Sequence, residues 1–329
     1  MPLAPPPRPA RRQLLQASQG LALAAALRPA QAQAAVPLRL IVPFTPGTGI
    51  DIIARQIQPH LGRLLGRPVV VENRPGASGN IGAEAVVRAA PDGNTLLVSV
   101  NTLVMSRALY PGLAFDPVKD LQPVALLSRG TLMLVASAAS GITTVQDLLA
   151  RAKARPGALN YASPGSGTPH HLAMELFKNQ TGTFITHIPY RGTGPAVTDL
   201  LGGQVDLMFL PIHVALQHVK GGRLRALAVS GEQANPLLPD VPPLRALGLG
   251  QIDVDMWYGL FAPKGTPAPL VQQLNTGLAG IVGDADMKAE FLTQGMVPMT
   301  STPAQFSELI ERDAQRWTKI IKDQRITAD

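Results

Sequence analysis

Three turns built from glycine, proline and hydroxyl residues carry the chemistry of this chain. Thr45-Pro46-Gly47-Thr48-Gly49-Ile50-Asp51 joins an apolar run, Leu38 to Phe44, to an amphipathic run with Ile53, Ile57, Leu61, Leu64 and Leu65. Ser163-Pro164-Gly165-Ser166-Gly167-Thr168 follows Leu159 to Ala162 and leads into Pro169, after which Leu172, Ala173, Leu176 and Phe177 form one stripe. Tyr190-Arg191-Gly192-Thr193-Gly194 follows Ile188-Pro189, and Pro195 opens a segment with Leu200 and Leu201. Each reads as strand, turn and helix start. Such a turn points unpaired backbone N–H groups at one place, at the positive end of a helix dipole. That is a receptor for a carboxylate or phosphate.

Around these turns stand side chains that can add to the site. Asp51 lies three residues after Thr48, a helix-capping spacing, and a contact to ligand or bound water is its second role. Thr168 is a natural N-cap and Pro169 a natural first helical residue. Arg191 could pair with a carboxylate. Asn101 and Thr102 end the third strand on the side of the first turn and could donate to a ligand. Asn73-Arg74-Pro75-Gly76-Ala77-Ser78-Gly79 is a further loop into a helix, with turn formation as its role.

Other chemistries fit poorly. The chain has no cysteine, which removes thiolate catalysis, Cys-ligated metals and lipid attachment through an N-terminal Cys. Its six histidines include the pair His170-His171 but no H-E-x-x-H, and the five-residue spacing of His213 and His218 puts them on different helix faces. Surface or capping histidines are expected, and no metal or cofactor. No G-x-S-x-G elbow occurs, and Ser163 and Ser166 have no evident base beyond His170 and His171. Gly47-Thr48-Gly49 with Glu72 resembles a dinucleotide-binding start, but Ile52 occupies the third glycine position and Asp51 would set negative charge beside a pyrophosphate. An oxidoreductase is therefore the weakest alternative.

At 329 residues, with 46% hydrophobic, 16% charged and 4% aromatic side chains, the chain suits two domains with aliphatic cores. Residues 1–34 read as a secretory signal peptide: Arg8, Arg11 and Arg12 precede the apolar run Ala17 to Leu27, followed by Ala30-Gln31-Ala32 and Ala32-Gln33-Ala34. Cleavage near Ala34 is expected, by ordinary secretion ahead of twin-arginine export. Removing that segment takes four arginines with it, so the net charge of +7 falls to +3, and no basic run interleaved with aromatics points to nucleic acid.

The apolar runs 38–44, 68–72, 95–100, 131–137, 158–162, 184–188, 205–210 and 224–230 read as strands, mostly separated by helical patterns, which implies parallel βαβ units. Beyond residue 256 come one strand, 257–262, and then helices. Two stretches, Val124 to Val135 and Gly248 to Ala262, can carry the chain between lobes. This gives a first lobe of 35–127 plus 257–329, a second of 128–256, and two crossing strands suited to clamshell closure.

In these residues the chain resembles the Bug-type periplasmic solute receptors, the substrate-binding subunits of tripartite tricarboxylate transporters. The likeness spans nearly all of the mature chain and rests on Ile41-Val42-Pro43-Phe44 with Pro46-Gly47 and Asp51, Val71-Glu72-Asn73-Arg74-Pro75-Gly76-Ala77, Pro91-Asp92-Gly93-Asn94-Thr95-Leu96-Leu97, Asn160-Tyr161-Ala162-Ser163 with Gly165 and Gly167-Thr168, Tyr190-Arg191-Gly192 with Gly194-Pro195-Ala196, and Gly203-Gln204-Val205-Asp206. The resemblance implies an α/β, two-lobed, type II-like binding-protein clamshell, each lobe a mainly parallel sheet with flanking helices. It implies an uncatalysed receptor that holds a carboxylated solute between the first two turns, largely through backbone N–H groups and water. By the same resemblance Phe44, Thr48, Asp51, Ser163, Ser166, Thr168, Thr193, Ala196 and Asp206 lie at or beside the pocket, joined by Gly47, Gly49, Asn101, Gly167, Tyr190, Gly194 and Pro195 from the turns themselves. One departure is Thr48, where the family usually has a second adjacent glycine. A periplasmic monomer serving membrane transporter subunits is expected, or in the alternative a receptor feeding a sensor kinase.

Overall fold

A computed structural model describes Met1 and residues 36–110, 112–231 and 233–328. The expected export segment falls almost wholly outside these residues. From Val36 the chain alternates strand and helix: β1 (Leu38–Val42), α1 (Gly49–Leu65), β2 (Val69–Asn73), α2 (Asn80–Val87), β3 (Thr95–Val100), α3 (Thr102–Leu109) and β4 (Leu121–Gly130). There follow β5 (Leu132–Ser137), α4 (Val145–Ala154), β6 (Asn160–Ser163), α5 (Pro169–Thr181), β7 (Thr186–Pro189), α6 (Thr193–Leu201), β8 (Leu207–Pro211), α7 (Ile212–Lys220) and β9 (Leu224–Val229). The chain closes with β10 (Met256–Pro263), α8 (Ala268–Gly283), α9 (Ala285–Thr293), β11 (Met296–Pro298) and α10 (Pro303–Asp323).

Two sheets result. The first has the order β11-β4-β10-β3-β1-β2 and the second β7-β6-β8-β5-β9. The ladders are mixed rather than mainly parallel: β1 is parallel to β2 and β3, but β10 is antiparallel to β3 and β4, and β4 to β11. In the second sheet β6 is parallel to β7 and β8, while β5 is antiparallel to β8 and β9. The reason lies in the crossings. β5 and β10 are the first strands laid down after the chain changes sheet, and each therefore runs against the strands that deliver the turns. Both are buried along their whole length, as strands covered on two faces must be.

The first crossing comes later than expected. Ser128, Arg129 and Gly130 pair with β10, and Met256 pairs with Gly130, so these residues belong to the first sheet and the passage narrows to Thr131. β4 is a ten-residue strand and α3 an eight-residue helix, both invisible to the alternation read from sequence. The core of the first sheet continues through Leu132, Leu134 and Tyr161 into one side of the second, whose other side packs Met133, Val135, Met208 and Leu210 against α6 and α7. The C-terminal helix α10 starts on a full capping box between Thr302 and Gln305, which fixes its start by satisfying two end N–H groups reciprocally.

Candidate functional site: the cleft between the sheets

The first turn is held by an acid that faces away from solvent. The Asp51 carboxylate accepts from the Gly47 N–H at 2.9 Å, from Asn73 Nδ2 at 2.9 Å and from Arg55 Nε at 3.0 Å. Burial alone would raise its pKa, but these hydrogen bonds outweigh it and hold the carboxyl below the ordinary aspartate value. The expected cap is not made as the spacing suggests: the Thr48 hydroxyl donates to the Thr45 carbonyl at 3.0 Å, and no side chain caps α1. The first-turn amides of α1 are left to whatever faces them.

The second turn reaches the same end by different residues. The Thr168 hydroxyl donates back to the Gly165 carbonyl at 2.7 Å, and α5 also begins without a side-chain cap, with Pro169 in its first turn. Ser163 Oγ lies 2.6 Å from His187 Nε2 and accepts from the Gly165 N–H at 3.2 Å, while the Gly167 N–H donates to His171 Nδ1 at 3.2 Å. His171, His187 and Tyr161 form a stack with ring centres 4.4 and 4.7 Å apart. The partner of Ser163 is thus His187, which the sequence reading did not consider, and neither His170 nor His171. The third turn leads into α6 at Thr193 over an uncapped Gly192 at φ +124°. Tyr190 spends its hydroxyl on Asp199 at 2.7 Å, and burial together with that acid pushes its pKa up to about 12.

The three turns enclose a cavity of about 390 Å³. Phe44, Thr48, Gly49, Thr102, Thr168, His170, Thr193, Met256 and Tyr258 are among the residues lining it, so both sheets contribute. A wider cleft of about 1160 Å³ opens beside it, walled by Phe44, residues 75–79, Tyr110, Ser166 and residues 189–192. The two sides touch. Ser78 Oγ donates to the Ser166 carbonyl at 2.7 Å and Tyr110 donates to the same oxygen at 3.1 Å. A Cβ placed on Gly49 would stand 2.6 Å from the His213 ring, and one on Gly192 2.9 Å from Thr45. Ser78 adopts φ +55°, so the loop 73–79 is more than a turn: it carries a left-handed residue to a contact across the cleft.

Of the candidate residues, Phe44, Thr48, Gly49, Thr168 and Thr193 line the cavity, whereas Ser166 and Tyr190 wall the wider cleft. Gly47, Asp51, Ser163 and Gly167 support the turns from behind through the bonds above. Asn101 does not reach the cavity: its Nδ2 donates to the Asp255 carbonyl at 2.8 Å, clasping the returning chain, and the adjacent Thr102 takes the lining position. Ala196, Gly194 and Pro195 lie in the first turn of α6 without lining the cavity, and a Cβ on Gly194 would meet nothing. A side chain there has room. Asp206 stands apart. It precedes β8, accepts from the Asn160 N–H at 2.9 Å and returns its own N–H to Asn160 Oδ1 at 2.9 Å, whereas the cavity is at Pro211, the other end of that strand. Its role is to tie the amino ends of β6 and β8.

Lining residues missed in the sequence include His170, Val214, Met256 and Tyr258, and His213 stands against Gly49 beside them. His213 was within reach, because β8 into α7 is also a strand-to-helix junction, but Pro211-Ile212 carries no glycine to mark it. Met256 and Tyr258 begin the returning strand, which runs away from the cleft, so its first residues and not its last border the ligand space.

With this geometry in place the relatives become informative. The family model for the tripartite tricarboxylate transporter family receptor matches residues 53–326. The chain belongs to that family. It is similar to the solved structure of the periplasmic binding protein BugD, at 29% identity and TM-score 0.85 over 89% of this chain and 99% of that one. Rhodopseudomonas palustris MatC with bound malate aligns at 31% identity and TM-score 0.82 over 87% and 99% of the two chains. R. palustris Rpa4515 with adipate aligns at 32% and 0.85 over 88% and 98%. As a member of this receptor family the chain is a solute-binding protein of the two-lobed periplasmic type and not an enzyme, which leaves the Ser163–His187 pair a structural one. No helix among the described residues is long and apolar enough to cross a membrane.

Proposed function

We propose that the chain is exported, loses residues 1–34, and in the periplasm captures a small carboxylate for the membrane subunits of a tripartite transporter. The observation that carries this reading is the meeting of two uncapped helix starts, α1 and α5, at one cavity. Each offers first-turn N–H groups and the positive end of a dipole, and an anion between them neutralises both. The relatives that hold malate and adipate support a carboxylate as that anion.

In this reading the lobes comprise residues 36–130 with 256–328, and 131–255, hinged at Thr131 and at the chain before Met256. Thr48, Gly49, Thr168 and Thr193 meet the ligand; Gly47, Asp51, Ser163 and Gly167 hold the turns in shape. The bonds from Ser78 and Tyr110 to Ser166 form only when the lobes approach, so ligand and lobe contacts together favour the closed form. Closure is what a membrane partner would read.

A thermal-shift panel of organic acids tests this. A ligand at a hundred times its Kd adds about 2.7 kcal/mol of apparent stability, visible as a rise in Tm. No rise with any mono-, di- or tricarboxylate, together with no compaction in solution scattering, would reject the reading.

A further inference from the structure

The two passages between the sheets are held in unequal ways. The first is a single residue. Gly130 pairs with Met256 and Met296 in the first sheet, while Leu132 pairs with Pro211 in the second and accepts from the Ser230 N–H at 2.8 Å. Only the torsions about Thr131 are left between two hydrogen-bonded ladders. The second passage is longer, and its two ends are held by different lobes. At its start Gln180 Nε2, on α5, donates to the Gly248 carbonyl at 3.3 Å, and the Leu249 N–H donates to the Leu244 carbonyl at 3.0 Å.

At its end three side chains of the first lobe take hold. Arg316 Nη2, on α10, donates to the Asp253 carbonyl at 2.7 Å and to the Asp253 carboxylate at 3.2 Å. Asn101 Nδ2, just past β3, donates to the Asp255 carbonyl at 2.8 Å. The Trp257 indole N–H donates to Oδ2 of Asp313, again on α10, at 2.6 Å. Asn101 is fully buried and its Oδ1 has no partner. A buried amide with one atom unpaired is costly to keep, and the bond to the returning chain is what it supplies. Between the two ends lies a turn over residues 249–252, closed by the Ile252 N–H on the Leu249 carbonyl at 3.2 Å, with Gly250 and Gln251 exposed. The lobes also touch directly from α5 to the chain just past α10, where Asn179 donates to Gln324 at 2.8 Å.

Resting on the lobe closure proposed above, we infer that the lobes turn at Thr131 and at residues 249–252, and that Asn101, Asp313 and Arg316 are positioning residues that keep 253–257 with the first lobe. Hinges are a few loop or element-terminal residues that absorb the change in torsion, and the structure leaves these two places unclamped between clamped neighbours. The consequence reaches the cavity. Met256 and Tyr258 line it together with Thr48, Gly49 and Thr102, and a clamped 253–257 holds all five as one wall assembled before the solute arrives. Thr168 and Thr193 then close on a finished half-site. Less ordering has to be offset on binding, which raises affinity without a further contact to the solute.

Distances between spin labels test this, and a chain without cysteine allows labels to be placed in pairs without background. Arg88→Cys marks the first lobe, Lys153→Cys the second and Asp253→Cys the clamped segment; all three positions are exposed, and the last keeps the carbonyl that Arg316 holds. Pulsed EPR on the mature full-length protein is run without solute and with malate, adipate and the other acids of the thermal-shift panel. Acid should shift the 88–153 and 153–253 distances and leave 88–253 unchanged. Asn101→Ala and Arg316→Ala should broaden the 88–253 distribution and weaken acid binding about fivefold, the size of one net hydrogen bond. Where Asn101→Ala does not fold, the more exposed Arg316→Ala carries the test. A clamp that served stability alone would lower Tm and leave distances and affinity as they were, which overturns the inference. So does an 88–253 distance that shifts with acid, and in both cases lobe closure stands. An 88–153 distance unmoved by every acid overturns closure and the inference together.

Discussion

The turns that open α1 and α5 perform the same task with opposite chemistry. Both place a threonine at the N-cap, and both turn its hydroxyl back to the carbonyl three residues earlier, Thr48 to Thr45 and Thr168 to Gly165. Neither hydroxyl spends itself on the helix end, so the amides stay available. What supports each turn from behind differs. The first leans on a buried carboxylate, Asp51, balanced by Arg55 and Asn73. The second leans on a hydroxyl and two stacked imidazoles, Ser163, His187 and His171. The first turn thus has an ion pair at its back, and the second has a serine hydroxyl and stacked imidazoles. The lesson is that two helix starts can be left uncapped in the same way while the groups that back their turns differ in kind.

Substitutions separate the two turns, beginning with the largest effect. Gly49→Ala puts a methyl 2.6 Å from His213 and 2.9 Å from Tyr258. The His213 contact crosses the cleft while the Tyr258 contact lies within the first lobe, so the variant should lose about 1–3 kcal/mol of stability through overpacking and bind up to about a hundredfold more weakly. Scattering with saturating acid should show the lobes held apart. Gly165→Ala adds strain at φ +136° and a contact to Ser78 at 2.8 Å, and should cost about 1–3 kcal/mol of stability in urea. Gly194→Ala, which meets nothing, should stay within about 0.5 kcal/mol of wild type in the same titration; equal losses would break the distinction between them.

Asp51→Asn should lower stability by about 1–2 kcal/mol by weakening charged hydrogen bonds, with a smaller change in affinity. Its pH signature is specific. Asp51 has a folded pKa below its unfolded value of 3.8, so its contribution is present above that value and fades as the pH falls through the lower one. The variant should lose that part of the acid sensitivity, and an unchanged profile would show that the carboxylate does not hold the first turn. Modest effects on binding belong to the closing contacts. Ser78→Ala and Tyr110→Phe each remove one hydrogen bond to Ser166 and should weaken binding about fivefold, about 1 kcal/mol apiece.

Much of the fold was legible because periodicity and turn chemistry are local. The strand, turn and helix units at 38–65, 159–180 and 188–201 follow from apolar runs broken by glycine and proline, and the structure has them within a few residues. The mixed pairing of the sheets was not legible, because nothing in an apolar strand such as β5 or β10 records the direction of its neighbour. α3 was hidden for a related reason. Its residues Thr102 to Leu109 are buried on nearly every side, so it lacks the polar stripe by which a surface helix is recognised.

The sequence by itself determined that there would be glycine turns feeding helix starts, with Thr48 and Thr168 at their caps, because backbone geometry at these positions depends on immediate neighbours. Only the tertiary structure decided which side chains share the space those turns enclose. His170 is two residues beyond a turn the sequence marked, but His213 and Tyr258 come from a helix start without glycine and from a returning strand. Asp206, close to them in the chain, is carried to the far end of β8. Side chains scattered over some 90 residues of sequence are brought to one point only when two sheets fold toward each other, and that convergence is a property of long-range packing which no local pattern contains.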